Sequence, residues 1–448
     1  MTDSLEDLTH SLLDRAQAAG ADSADVLVVQ GNSMSIDVRN GVLEQAERSE
    51  ATDIGLRVLI GKRVANVSSS DVRPESLAIM ADRAVAMARE APEDPYVGLA
   101  DPDQLAENRA SDWLEMFDPT PEPSPAELEH DARTAESAAL AVDGITQVSA
   151  ASAGYGSQAI HLAASNGFSG GYQRTSRSVS CVAIAGTGTG MERDYDGDQR
   201  IFQRDLRSAA DIGRIAAERT LERMNPRKPK TGAYPVLFDE RISSSLIGHL
   251  LMAINGAAIA RRSSWALDLL EKEVLPKGLN LTEDPHRIRV GGSKPFDAEG
   301  LATQKRDIVK DGVLTGWTLD LATARKLGLD PTGNAARGTS GGPSPSVSNV
   351  ALTQGIKDRA GLIADMGTGL VVTSMIGSTI NPNTGDYSRG AAGFWVENGE
   401  VAYPVSGVTI AGNLIEMLKK ITPANDARPW LSRVVPSLLV EGLTLAGE

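Results

Sequence analysis

Three consecutive serines, Ser243, Ser244 and Ser245, and the imidazole of His249 four residues further on come nearest to a catalytic spacing in this chain. They lie in the stretch Arg241 to Gly256, where Leu246, Ile247, Leu250, Leu251 and Ile254 recur at helical intervals and share one face. Serines in a first helical turn are good caps for free backbone amides, and capping is the economical role for these three. Ser245 and His249 also share a helix face, the minimum for a hydroxyl–imidazole hydrogen bond and a serine nucleophile. A helical zinc site needs more: two histidines on one face and a carboxylate that activates the bound water. With His249 as the second ligand, the first falls on Ser244 or Ser245, and neither hydroxyl binds zinc usefully. The expectation is a helix that lacks the ligand set of a helical zinc site.

Other chemistry finds little support. The five histidines, His10, His130, His161, His249 and His286, are isolated from one another, and no HExxH, HxH or CxxC occurs. His130, flanked by Glu129 and Asp131, reads as a solvated surface residue, and His286, after Asp284-Pro285, as an exposed turn residue. The glycine-rich runs Gly186–Gly190, Gly338–Pro343 and Gly367–Gly369 lack the Lys-Ser/Thr ending of a phosphate loop. The run Asn381 to Gly390 is explained by turn chemistry. As a long polar loop beside a strand, it is also a candidate lining for a groove that takes an extended peptide by strand addition. The candidate contacts there are Asn381, Asn383, Thr384, Asp386, Tyr387 and Ser388.

Composition narrows the classes. The 448 residues carry a net charge of −15, with no dense basic patch, so nucleic-acid binding has little electrostatic support. The single cysteine, Cys181, excludes an intramolecular disulfide and, among Val179, Val182 and Ile184, reads as a buried strand thiol. The acidic start Met1 to Asp7 has no signal-peptide pattern, and no apolar run approaches the ~20 residues of a membrane span. A cytoplasmic protein with no membrane or nucleic-acid partner is expected.

The elements that must position these residues fall into two textures. A helix over 4–19, strands Asp25–Gln30, Ser33–Arg39, Leu43–Ser49, Thr52–Ile60 and Arg63–Ser69, and a helix from Pro74 to Arg89 with an apolar stripe of Leu77, Met80, Ala84 and Met87 form a first block. A Pro-rich connection, 91–124, follows, with Trp113, Met116 and Phe117 as its anchors. The pattern then returns over 125–228: a helix Pro125–Ala141, strands near Gln147–Gly154, Ala159–Ala164, Gly171–Ser178 and Cys181–Thr187, and a helix Leu206–Met224. Sliding the first block by 126 residues places Asn40-Gly41 on Asn166-Gly167 and Arg48 on Arg174, an internal duplication. From 229 to 448 short strands and turns dominate. They include Tyr234–Asp239, Arg287–Gly291, Arg306–Lys310, Val313–Thr318, Ser348–Thr353, Gly369–Thr373, Gly390–Glu397, Glu400–Val405 and Leu438–Leu445. Helices Leu319–Leu327, Ile356–Asp365 and Ile410–Ile421 interrupt them. The fold class is therefore α+β: duplicated α/β units over 1–90 and 125–228, with helices on antiparallel sheet, then a β-rich barrel or sandwich with inserted helices.

Several stretches taken together resemble the TldD/PmbA family, and within it the PmbA (TldE) branch. They are Gly248-His249, Pro295 to Gly300, Gly328 to Arg337, Pro345, Ser348-Asn349, Thr384 to Ser388, Gly393 to Glu400 and Thr409 to Leu414. Arg39-Asn40-Gly41 and Gly55 to Val58 also match. The resemblance covers nearly the whole chain. It implies one subunit of a cytoplasmic heterodimeric zinc peptidase that degrades or trims unfolded peptides. Its TldD subunit carries an HExxxH helix and a cysteine ligand near the carboxyl end. Carried over, the first His and the Glu fall on Ser244 and Ser245, only the second His survives as His249, and Trp430 to Glu448 contains no cysteine. The resemblance thus implies a non-metal subunit, with the zinc in a TldD-like partner and an unfolded peptide as substrate. The alternative is a peptide-binding or chaperone-like homodimer without proteolytic activity.

Overall fold

The computed structural model describes residues 4–447, with the side chain of Ser378 left out; the first three residues of the acidic start lie outside it. The first block contains α1 (Leu5–Ala18), β1 (Ser23–Arg39), β2 (Val42–Ile60), β3 (Arg63–Ser69) and α2 (Pro74–Glu90). The second contains α3 (Pro125–Leu140), β4 (Ile145–Ala164), β5 (Ser169–Ala185), β6 (Glu192–Arg200) and α4 (Ala209–Glu222). Their strands form one continuous antiparallel sheet in the order β3-β2-β1-β4-β5-β6. At the seam Asp25 faces Ala164 and Val38 faces Ala151, so an offset of 126 residues exchanges β1 with β4. A local two-fold axis between these strands relates the two blocks.

The expected short strands fuse in pairs into long ones, because nothing in Gly31-Asn32 or Glu50-Ala51 interrupts the β1–β2 ladder. The Asn40-Gly41 turn joins β1 to β2 with both residues at positive φ, 54° and 69°, the backbone a two-residue hairpin needs. Strand β6 escapes the sequence reading because Glu-Arg-Asp-Tyr-Asp-Gly-Asp-Gln-Arg has the charge of a solvated loop; those charges suit an edge strand. Each half of the sheet has its own core on one face. Leu12 and Ala16 of α1 and Leu77, Met80 and Ala84 of α2 cover Val26, Val28, Leu56 and Val58. Leu128, Ala132 and Ala135 of α3 and Ile212 and Ala216 of α4 cover Ile36, Val38, Val179 and Cys181. Met87 departs from the expected stripe and is exposed; Ala81, Val85 and Ala88 complete the buried face instead. In the connection Leu114 and Met116 are buried, while Trp113 and Phe117 are largely exposed.

The last part is built on a closed barrel. Its elements are β7 (Gly232–Phe238), α5 (Glu240–Ala253), α6 (Leu321–Leu327), α7 (Arg359–Met366), β8 (Gly369–Ile380), β9 (Asp386–Glu397), β10 (Glu400–Asn413), α8 (Leu414–Leu418) and β11 (Leu438–Ala446). Strand order β10-β9-β8-β7-β11 closes through a β10–β11 pairing, and only β7–β8 is parallel. Shorter strands at Leu281–Glu283, Arg306–Lys310, Val313–Leu314, Val350–Leu352 and Arg433–Val434 make a second small sheet. The helix expected over Ile410–Ile421 shrinks to α8, because Ile410 continues β10 and pairs with Leu445. Arg287–Gly291 is turn rather than strand, and Val313–Thr318 is strand only in its first two residues.

Candidate functional site

Helix α5 begins immediately after β7 and packs Leu246, Ile247, Leu250 and Ile254 against Val236, Phe238, Leu370 and Val372 of the barrel. Its cap is Asp239, whose carboxylate accepts the Arg241 amide at 3.2 Å and also pairs with the Arg359 guanidinium at 3.0 Å. The three serines therefore do not cap: the strand delivers the chain to Asp239 first, which places them inside the helix. Ser243 is buried and donates to the Val435 carbonyl at 3.3 Å. Ser245 donates to the Ile242 carbonyl at 2.7 Å, and Ser244 is half-buried.

His249 lies on the same helix, half-buried, with its ring edge-on to Tyr387 at a centroid distance of 5.9 Å. Its Nε2 is shut off from solvent and has no hydrogen-bond partner among the described residues. Burial, helped by the Arg389 guanidinium, pushes the imidazole down to about 4, so it is neutral near pH 7. The Tyr387 hydroxyl donates to the Met375 sulfur at 3.3 Å, and burial pushes the phenol up to about 12. The serine–histidine pairing conceivable from spacing is not made, since Ser245 spends its proton on the backbone. Nor do the donors around His249 make a zinc set. One neutral nitrogen beside two hydroxyls lacks the anionic or second imidazole ligand that a three-residue site requires. Among the described residues no group of three His, Cys, Asp or Glu side chains is placed to hold a metal ion.

The polar run is a tight turn rather than a long loop. It spans Asn381 to Gly385 between β8 and β9, and Asp386 to Arg389 already belong to β9. The Asn381 side chain accepts the Asn383 amide at 2.9 Å, Thr384 donates to Asp386 at 2.6 Å, and Asn413 donates to Asp386 at 3.1 Å. Those two donors hold the Asp386 carboxyl below its ordinary value. Asn381, Asn383, Thr384 and Asp386 are exposed and Ser388 is half-buried. Tyr387 is not presented to solvent; strand alternation turns it into the core, beside His249.

The stretches that carry the family resemblance converge elsewhere, on a buried set of charges between the first sheet and the barrel domain. Asp297 accepts three backbone amides, from Glu299 at 2.9 Å, Leu301 at 3.0 Å and Ala335 at 2.9 Å. Glu299 accepts the Leu321 amide at 2.9 Å. Burial, then the neighbouring Asp297, pushes Glu299 up to about 8, and burial raises Asp297 as well. Asp25 of β1 is held between Arg57 of β2, whose Nε is 2.7 Å away, and Arg337. A Cβ added at Gly55 would run into the Thr339 carbonyl, so the segment beyond Arg337 lies directly on β2. Glu283 binds Arg306 at 2.8 Å, Asn334 at 2.8 Å and the Ser348 amide at 2.6 Å. Of these residues, Arg57, Asp297, Glu299, Asn334, Arg337 and Ser348 lie in the stretches that carry the resemblance, while Asp25, Glu283 and Arg306 do not; the signal for a role was acidic residues inside an apolar, glycine-punctuated run. His286 is likewise not an exposed turn residue, for its Nε2 lies 3.0 Å from the Thr303 hydroxyl and Trp113 packs edge-on against it. His130 is exposed as expected, and burial pushes the Cys181 thiol up to about 12.

A duplicated α/β sheet, clamped by buried charges onto a closed barrel with a helix in its core, defines a distinctive class of chain. Over 24–88, 118–224 and 231–447 the sequence matches domain 1, the central domain and the C-terminal domain of the PmbA/TldA metallopeptidases. It is 39% identical to Metalloprotease PmbA of Escherichia coli O157:H7, across 99% of this chain and 96% of that protein. A crystal structure from Bacteroides thetaiotaomicron, described as a proposed modulator of DNA gyrase, superposes with a TM-score of 0.92 at 29% identity and covers 100% of both chains. TldE from Thermococcus kodakarensis shares the fold at a TM-score of 0.86 and 20% identity, over 98% of this chain and 99% of that one. The chain belongs to the PmbA/TldD metallopeptidase family.

Proposed function

We propose that this chain is the non-metal subunit of a PmbA/TldD-type peptidase and works with a TldD-like chain that carries the zinc. The carrying observation is the donor set on α5: Ser244, Ser245 and a neutral His249 where hydrolysis needs two imidazoles and a carboxylate. In this reading the chain closes the space around the partner's zinc and helps to hold an unfolded peptide for degradation or trimming. The exposed polar edge of the β8–β9 turn, Asn381, Asn383, Thr384 and Asp386, is the peptide-contacting surface. Among the described residues no helix is long and apolar enough to cross a membrane; a cytoplasmic location is part of this reading.

The test is peptidase activity on an unfolded peptide, together with zinc content, for the chain alone and mixed with a TldD-like subunit. The expected result is no zinc and no cleavage alone, and chelator-sensitive cleavage on mixing. Stoichiometric zinc with cleavage by the chain alone would overturn the proposal. Binding of peptide without cleavage in either preparation would favour a chaperone-like homodimer.

A further inference from the structure

The local two-fold between β1 and β4 makes the two blocks of the sheet directly comparable, and they differ in what covers their outer edges. Strand β6 pairs only with Arg177–Ala185 of β5, and β3 only with Ile54–Ile60 of β2. Among the described residues the first half of each long strand is thus left without a strand neighbour on its outer side. In the second block the chain fills that position itself. The Thr175 amide donates to the Met116 carbonyl of the Pro-rich connection at 3.0 Å, and the Asp118 amide returns a bond to the Thr175 hydroxyl at 2.9 Å. The Arg174 guanidinium donates to the carbonyls of Gly291 and Ser293 at 2.9 and 3.1 Å, and Phe296 packs edge-on against Tyr172.

In the first block the matching edge is open. Val42 to Glu50 of β2 are exposed at every position, on both faces of the sheet, and Val42 and Leu43 stand out as apolar side chains in solvent. Among the described residues Arg48, the sequence counterpart of Arg174, reaches only Glu50 and Glu122, at 2.7 and 2.6 Å. An unpaired run of this length is a template for strand addition. Its charges decide what it takes. Glu44, Glu47, Glu50 and Asp53 outnumber Arg48, so two copies of this edge laid antiparallel would oppose like charges.

We infer that the outer edge of β2, Val42–Asp53, is the docking site for a basic extended segment of a partner subunit with the same fold. That segment repeats in trans what the Pro-rich connection and Gly291–Ser293 do in cis on β5. The inference rests on the subunit reading above and names the surface that the partner uses.

The experiment measures binding of a purified TldD-like subunit to the full chain and to a Glu44→Lys/Glu47→Lys/Glu50→Lys variant, with amide hydrogen exchange across β2. Docking predicts binding at least tenfold weaker for the variant, and slowed exchange at Val42–Asp53 when the wild-type complex forms. A wild-type complex that the variant matches in affinity, with unchanged exchange in β2, overturns this surface and leaves the subunit reading standing. Absence of any complex with the wild-type chain overturns both. A wild-type homodimer that the variant dissolves would make the occupant a second copy and overturn the choice made here.

Discussion

Helix α5 and the Asp297–Glu299 lattice both carry residues that mark the family, and they are built on opposite principles. Around Asp297, Asp25 and Glu283 each carboxylate meets backbone amides or a guanidinium, although Asn334 Oδ1 and Arg337 Nε in the same network have no partner among the described residues. Around His249 a nitrogen is buried with nothing to bond, and the neighbouring hydroxyl is turned back onto its own helix. A satisfied polar network fixes architecture, whereas an orphaned group is tolerated only where the loss is small. The difference teaches that the buried carboxylates between the sheet and the barrel domain are built to hold architecture, whereas the polar groups of helix α5 contribute little to it.

Substitutions at the two places sharpen that contrast. Asp297→Ala leaves three buried amides without an acceptor and is expected to cost about 3 kcal/mol or more, read as a lowered midpoint in chemical denaturation. Arg337→Met removes one of the two cations on Asp25 and leaves Arg57, so about 2 kcal/mol is expected, with earlier proteolysis between the sheet and the barrel domain. Equal stability of either variant and the wild type would break the comparison.

Two further tests read the sign of the pH dependence. Glu299 keeps its proton up to about pH 8 when folded and loses it near its ordinary 4.5 when unfolded. Folding therefore takes up protons in this window, and stability falls as pH rises through it. Glu299→Gln should flatten that alkaline limb of the melting temperature. His249 titrates near 4 when folded against an ordinary 6.5, so folding releases a proton and stability is lost as pH falls from 6.5 to 4. His249→Phe should flatten the acid limb, the smallest effect of the four, and leave stability at pH 7 equal or higher because an unpaired nitrogen is gone. A marked loss of stability at pH 7 in that variant would mean that the imidazole has a structural partner.

Much was legible before any coordinates. The duplication was readable because the helix and strand periods recur at one offset, and the two-fold at the β1–β4 seam realises that offset. The helix at Leu246–Ile254 was readable from its apolar spacing, and the hairpin at Asn40-Gly41 from its need for positive φ. Strand β6 was not, because solvated edge charges look like a loop, nor was the burial of Tyr387, because its polar neighbours hide a strand alternation.

The sequence by itself determined the periodic elements, the absence of a metal-binding pair on α5 and the family, since each rests on residue types at short, fixed spacing. Only the tertiary structure decided that Asp239 rather than a serine caps α5, and that His249 is neutral. It also decided that Asp25, Arg57 and Arg337 share one site, and that one sheet edge is covered while its counterpart lies open. Apart from the local Asp239 cap, these depend on burial and on partners distant in the chain, up to 312 residues for Asp25 and Arg337, and desolvation is a property of the packed chain that no local pattern encodes.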